Sequence, residues 1–319
     1  MLLGTVEPAV RVSATVASDQ QREGTLDVHW IHGSRSRRHR TDPPLQVHRY
    51  TDDTFIIRQS KDLTYEAPFV FLLFGDDRAL LLDTGDLADD TLRGTVDELV
   101  AAWLQRHPRE GYQLVVAHTH AHGDHIAGDA SFLGRPDTVV VGTSMDDVCA
   151  FLGFTTWPDG VVTFDLGGRP LDVIAIPGHE PASIACYDTR TGLLLTGDTV
   201  YPGRIYVRDV PAFVASINRL VDLAAERDVT HLLGCHIEMT RTAGRDYPLG
   251  CRYQPDEPPL QMSVDQLREI QRQVKELDGR SGVHRLDDVI LYFGMGPTTQ
   301  ARLLARGLVE ALRDRLRRR

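Results

Sequence analysis

One stretch restricts this chain more than any other: Val115-Val116-Ala117-His118-Thr119-His120-Ala121-His122-Gly123-Asp124-His125. A short apolar run opens into four histidines and an aspartate. Imidazoles and carboxylates are costly to crowd together unless something neutralises and orders them, and a metal ion does both. The apolar run reads as a buried strand, so the cluster sits at a strand's C-terminal end, where alternating strands and helices place their ligand sites.

The rest of the chain supplies more chemistry in the same position. Ala79 to Leu82 is a strand-like run ending at Asp83-Thr84-Gly85. Leu171 to Ile176 runs into Pro177-Gly178-His179, Leu193 to Leu195 into Thr196-Gly197-Asp198, and His231 to Cys235 into His236. His120, His122, Asp124, His125, His179, Asp198 and His236 thus give five histidines and two carboxylates at strand ends. Catalytic zinc keeps about three protein ligands and an open position, so this set is the size two metals need, with one carboxylate bridging.

Helices alternate with these strands. Residues 89–106 put Leu92, Val96, Leu99, Val100 and Trp103 on one face, and a shorter helix is expected around Ser144 to Leu152. Residues 210–226 carry Val210, Phe213, Val214, Ile217, Leu220, Val221 and Ala224 on a stripe. A proline-rich connection from Asp246 to Pro259 precedes a helix starting at Ser263, where Gln266 completes a capping box. A strand at 289–293 and a helix at 298–316 with a Leu304, Leu308, Leu312, Leu316 ridge follow. The organisation expected is an N-terminal arm (1–46, with a strand or extended piece over Thr5 to Val16), a main domain (47–240) and a helical extension (241–319).

The ordered motifs resemble the metallo-β-lactamase superfamily. His120-Ala121-His122-Gly123-Asp124-His125 is similar to its HxHxDH signature, and the DTG, PGH, GD and final histidine pieces follow in the family's order over roughly residues 47–240. The resemblance implies an α/β fold, the αββα sandwich, with a mainly helical C-terminal extension. It implies one metal held by His120, His122 and His179, another by Asp124, His125 and His236, and Asp198 bridging. Two zinc ions are the implied cofactors, with iron or manganese as alternatives. The implied reaction is attack by a metal-bound hydroxide on a carbonyl or phosphoryl centre, with Asp124 and Asp198 as catalytic residues and Asp124 also a proton shuttle. Asp83 would be an outer-shell group fixing ligand geometry, and His118 an outer-shell or simply packed histidine. Tyr201 and Arg204, just after Asp198, are candidates for orienting substrate, or else pack their loop.

Departures narrow the branch. Asp198 argues against β-lactam hydrolysis, because the β-lactamases of the superfamily place cysteine or serine in that region. His122 argues against the diiron branch, which has glutamate there. His236 comes only 38 positions after Asp198, too close for the inserted domain of the nucleic-acid-processing branch. What remains resembles the hydroxyacylglutathione hydrolase and lactonase branch, acting on a small thioester, ester or lactone. In glutathione-reading enzymes a tyrosine and a glutamate usually stand around the last histidine; here that loop reads Gly234-Cys235-His236-Ile237-Glu238, which does not point to glutathione. A mononuclear iron persulfide dioxygenase using His120, His179 and Asp198 is the alternative, with a β-lactamase or phosphodiesterase of the same fold behind it.

Composition bears on partners. With 45 acidic against 35 basic residues, the net charge is −10, which disfavours nucleic acid and anionic lipid. The expected partner is a small molecule, with a homodimer as a further option through the arm or the basic loop Ser34 to Arg40. No apolar run is long enough to span a bilayer. The first seventeen residues lack a basic n-region, and Cys149, Cys186, Cys235 and Cys251 form no CxxC pair. A cytoplasmic protein with reduced thiols is the expectation.

Overall fold

A computed structural model describes residues 24–36, 38–294 and 296–316. The strand expected over Thr5 to Val16 lies outside the described residues. The strands and helices run in the order β1 (Leu45–Thr51), β2 (Thr54–Gln59), β3 (Phe69–Phe74), β4 (Arg78–Leu82), α1 (Thr91–Arg106), β5 (Gln113–Ala117), α2 (Gly123–Ile126), α3 (Asp129–Phe132), β6 (Thr138–Val140), α4 (Met145–Leu152), β7 (Val161–Asp165), β8 (Pro170–Ala175), β9 (Ile184–Asp188), β10 (Leu193–Gly197), β11 (Arg204–Val207), α5 (Val210–Glu226), β12 (His231–Gly234), β13 (Gln261–Met262), α6 (Val264–Leu277), β14 (Gly282–Arg285), β15 (Ile290–Phe293) and α7 (Pro297–Leu316).

Two six-stranded sheets form, β1-β2-β3-β4-β5-β6 and β13-β12-β10-β9-β8-β7. The reason is visible in β3, Phe69 to Phe74, which has no polar residue. A strand's side chains alternate between faces, so a strand apolar at every position must be covered on both. Phe69, Phe71 and Leu73 face the second sheet, packing in a core that also contains Leu171, Val173, Ile184, Cys186 and Leu195. Val70, Leu72 and Phe74 face outward onto Leu92, Val96, Val100 and Trp103 of α1. The second sheet repeats the arrangement: Ile174, Ala185 and Leu194 meet Phe213, Ile217 and Leu220 of α5 and Leu267, Ile270 and Val274 of α6. Helix, sheet, sheet and helix are therefore stacked as four layers, an α/β sandwich.

The expected domain edges are knitted more closely than the sequence pattern indicates. Leu26 and Trp30, from the stretch expected to be an arm, pack in the core between the sheets. The C-terminal stretch carries α6 and α7 and also strands. Of these, β13 pairs with β12, and β15 pairs with β11 in a small third sheet. No helix among the described residues is long and apolar enough to cross a membrane.

Register brings the strand ends together. Strands β4 and β5 are parallel with Leu82 opposite Ala117, so Asp83 and His118 leave the sheet side by side. Strands β10 and β12 are parallel with Gly197 opposite Gly234, so Asp198 and the Cys235-His236 pair leave the other sheet together. Two backbone bonds join the sheets at this edge, from Phe69 N–H to Cys235 O (2.8 Å) and from Ile184 N–H to Thr119 O (2.9 Å).

Candidate metal centre

All seven residues of the expected ligand set meet at that edge. His120, His122 and His179 form one group, and Asp124, His125, Asp198 and His236 form a second, with ligand atoms inside 4.8 Å of one another in each. Within the first, His122 Nδ1 is 3.0 Å from His120 Nε2 and 2.9 Å from His179 Nε2. Within the second, His236 Nε2 is 3.4 Å from an oxygen of Asp124 and 3.4 Å from Asp198 Oδ1, while His125 Nε2 is 3.7 Å from Asp124 Oδ2. Asp198 also reaches the first group, with Oδ2 3.9 Å from His120 Nε2 and 3.8 Å from His179 Nε2.

Local backbone geometry makes this convergence possible. Asp124 and His125 lie on the single turn of α2, which His122 precedes in extended conformation (φ −72°, ψ 152°). Gly178 has φ +137°, and a Cβ there would lie 2.5 Å from the backbone of Phe213, so only glycine lets the His179 loop approach α5.

The nitrogens that face away from the centre are tied back. His125 Nδ1 lies 2.9 Å from Asp83 Oδ2, His179 Nδ1 2.8 Å from Tyr206 O, and His236 Nδ1 3.1 Å from Glu66 O. Each of these acceptors takes the Nδ1 hydrogen, so that in the neutral ring the Nε2 lone pair points at the centre, the outer-shell arrangement of metal-ligating histidines. Asp83, completely buried in left-handed backbone (φ +71°), also accepts from Thr119 N–H (2.7 Å), Thr119 O–H (2.8 Å) and the Cys235 thiol (3.3 Å). Aspartate is among the few side chains that tolerate that conformation. Burial raises the Cys235 thiol, which stays protonated behind the site.

The two groups differ in charge. Burial, reinforced by the His179 charge, pulls His122 down to about 4. Burial also holds His120 well below the ordinary histidine value, and lowers His179. In the second group burial is outweighed. Asp83 and Asp198 hold His125 well above its ordinary value, and Asp198 and Asp124 lift His236 to about 9. Burial would raise Asp198 and Asp124, yet the facing histidines hold both below the usual carboxylate range.

This donor set fits divalent metal. Tetrahedral zinc with bonds of ~2.05 Å places its nitrogen ligands roughly 3.3 Å apart, close to the separations above. Asp198 Oδ1 and His122 Nε2 are buried with no protein hydrogen-bond partner. A buried carboxylate oxygen facing several imidazole nitrogens without a donor calls for a cation.

Other expected residues have different jobs. His118 turns from the centre and pairs with Asp129 Oδ1 (2.9 Å), which also accepts from Thr84 O–H (2.7 Å). The ring thereby braces two loops, just past the end of the strand at Ala117. Tyr201 and Arg204 are each 2% exposed and do not line the mouth. Arg204 pairs with Glu238 and Asp246 and donates to Tyr247 O (2.5 Å), and the Tyr201 hydroxyl donates to Arg204 O (2.6 Å). This cluster pins β11, whose Tyr206 carbonyl orients His179. The backbone acceptors at Tyr206 and Glu66 had no sequence signal, since any residue supplies a carbonyl. Glu66 itself lies beside the second group, its carboxyl pushed up to about 7 by burial and by Glu238.

Comparison with known proteins agrees with this geometry. Residues 63–230, just over half of the chain, match the model of the metallo-beta-lactamase superfamily. A hydroxyacylglutathione hydrolase of Aeromonas hydrophila is 29% identical over 228 residues, covering 70% of this chain and 81% of that protein. One of Rhizobium meliloti is 30% identical over 119 residues (36% of this chain, 46% of that protein), and one of a Synechococcus strain 31% identical over 140 residues (42% and 56%). The chain thus spans about half the length of the latter two relatives. The solved structure of TMB-1 superposes with a TM-score of 0.50 at 13% identity, covering 74% of this chain and 100% of that one, a likeness of fold.

Proposed function

The chain belongs to the metallo-β-lactamase superfamily, and from that membership and the geometry of the site we propose that it is a metal-dependent hydrolase of a small thioester, ester or lactone. The observation that carries the reading is the pair of ligand groups joined by Asp198, with neutral imidazoles in one and carboxylates in the other. The names of the hydroxyacylglutathione hydrolase relatives make a thioester the leading substrate class. In this reading His120, His122 and His179 hold one ion, Asp124, His125 and His236 hold a second, and Asp198 serves both.

When bound, two divalent zinc ions would supply a nucleophile at neutral pH and an electrophile for the scissile carbonyl. The chain does the rest. Asp83, Glu66 O and Tyr206 O fix the ring orientation of His125, His236 and His179, so these ligand atoms need no reorientation. Asp124, held ionised and with a side chain 21% exposed, is placed to accept a proton at the mouth and return it to the leaving group. The core between the sheets excludes water from behind the site, which strengthens each of these interactions.

The test is metal quantification on the purified protein with a panel of thioesters, lactones, phosphodiesters and β-lactams. Two equivalents of metal per chain are expected, with thioester or ester hydrolysis lost on chelation and restored by zinc. Hydrolysis that survives complete metal removal, or cleavage confined to β-lactams or phosphodiesters, overturns the reading.

A further inference from the structure

We propose that a cavity between β14 and α7 is a second binding site, which takes a tetrahedral dianion: phosphate, or the phosphoryl group of a small metabolite. None of the residues lining it belongs to the two ligand groups of the metal centre. The proposal does not depend on the hydrolase reading.

The fold makes the cavity. In β14 and β15, Val283 lies opposite Tyr292 and Arg285 opposite Ile290. Residues paired across strands share a face, and the face changes at each step along a strand. These four therefore point to one side of the small sheet, and Leu291 and Phe293 to the other, where they pack with α5 and α6. The first side receives α7, which covers only part of it. Leu303 packs with Ile290 and Tyr292, whereas Val283 on the edge strand stays 40% exposed. A cavity of about 260 Å³ is left, lined by Val283, Arg285, Tyr292, Arg302, Leu303 and Arg306.

Three of those six residues are arginines, and bonds fix two of their guanidinium groups. Arg285 Nη1 donates to Asp246 Oδ1 (3.1 Å) and to Gly244 O (3.0 Å), and Arg306 Nη1 donates to both oxygens of Asp246 (3.2 Å each). The two cations thus meet at one carboxylate, whose side chain is 1% exposed and which is not part of the lining. Arg302 lies one helical turn before Arg306, so it shares that side of α7.

The acids nearby do not balance these charges. Asp246 also serves Arg204 (3.4 Å), whose other partner is Glu238. Glu310, one turn beyond Arg306, is buried. Even with Glu310 counted in full, four arginines (204, 285, 302 and 306) stand against three carboxylates (238, 246 and 310). Asp287 and Asp288, in the turn after β14, line a different cavity. Like charges one turn apart on a helix repel. Neither Arg302 nor Arg306 is in the last turn of α7, where a cation would complement the helix dipole. An anion in the cavity offsets that repulsion. Among the described residues Arg285 bonds through Nη1 alone, which leaves its Nε and Nη2 donors for a ligand. Donors arriving from a strand on one side and from two helical turns on the other suit an ion with two charges and oxygens in several directions. A carboxylate presents two oxygens in one plane and a single charge.

The experiment titrates inorganic sulfate into the full-length protein as purified, followed by calorimetry. Sulfate is tetrahedral, doubly charged at any working pH and a weak zinc ligand; acetate is the planar, singly charged control. One sulfate per chain is expected, bound more tightly than acetate. Arg302→Ala is expected to weaken it about tenfold or more, the loss of a charged hydrogen bond, and Arg302→Lys to recover part of that. Arg268→Ala, which removes an exposed arginine of α6, is expected to bind as wild type does. Inorganic phosphate and glycerol phosphate then compete for the bound sulfate. Competition at least as strong from inorganic phosphate identifies the free ion as the ligand, and stronger competition from glycerol phosphate identifies a phosphorylated metabolite. Sulfate affinity unchanged in Arg302→Ala, or lost equally in Arg268→Ala, overturns the proposal. So does acetate that binds as tightly as sulfate, or sulfate that neither phosphate displaces.

Discussion

The two ligand groups are built from the same side chain and hold it in opposite states. His120, His122 and His179 are neutral because burial dominates around them. His125 and His236 attract protons because Asp83, Asp124 and Asp198 outweigh their burial. Their supports differ too. His179 leans on a backbone carbonyl of β11, a strand pinned by the Arg204, Glu238 and Asp246 cluster. His125 leans on one carboxylate, Asp83. One group is pre-set for a cation, whereas the other must give up protons to take one. Changes aimed at each support therefore separate the two.

Removing what they share has the largest effect. Asp198→Ala is expected to cost hydrolysis more than the ~10–100-fold typical of an outer-shell partner, and to weaken both equivalents of metal measured by titration. If one equivalent bound with wild-type affinity, Asp198 would not be the common ligand. Next comes the pinning cluster. Arg204→Met leaves Glu238 buried without its cation, while Asp246 keeps Arg285 and Arg306, and breaking such a buried pair costs about 3–5 kcal/mol. Denaturant unfolding should show that loss, and the His120, His122 and His179 group should lose metal affinity first. Equal weakening of both groups would mean that β11 does not serve one side.

Much of the candidate site was legible because the side chains that could hold a metal are ones that chemistry requires, placed where apolar runs end. The layers were legible for the same kind of reason. The unbroken run in β3 demands cover on both faces, and the stripes on α1 and α5 supply it. The capping box at Ser263 is formed as the sequence indicates. Other features had no such signature. The two-residue β13 and the four-residue β11 are too short for periodicity to register, and they exist because neighbouring strands offer partners. Tyr201 and Arg204 sit next to Asp198 in sequence, yet the buried acids Glu238 and Asp246 that claim Arg204 come from 34 and 42 residues further along.

Asp83→Asn tests the other support. The amide retains the size of the carboxylate but can no longer accept at every contact from Thr119, Cys235 and His125. Metal affinity or activity is expected to fall about 10–100-fold, with the loss concentrated in the equivalent bound by Asp124, His125 and His236. A uniform loss at both equivalents would show that Asp83 supports the whole edge and not one ligand.

The smallest effect is the pH dependence of the metal-free protein, and it should have two limbs. His122 sits at about 4 when folded, below its ordinary 6.5. Between those values the unfolded chain binds the proton and the folded one does not, so stability is lost as pH falls from 6.5 toward 4. His236 sits at about 9 when folded. Between 6.5 and 9 the folded protein holds the extra proton, so its contribution is full below 6.5 and is lost as pH rises toward 9. Thermal unfolding of apo-protein across pH 4–9 should therefore show His122→Ala flattening the acid limb and His236→Ala the alkaline limb. Zinc should remove the alkaline limb, because binding displaces the His236 proton. An alkaline limb unchanged in His236→Ala would place the extra proton elsewhere and erase the contrast between the two groups.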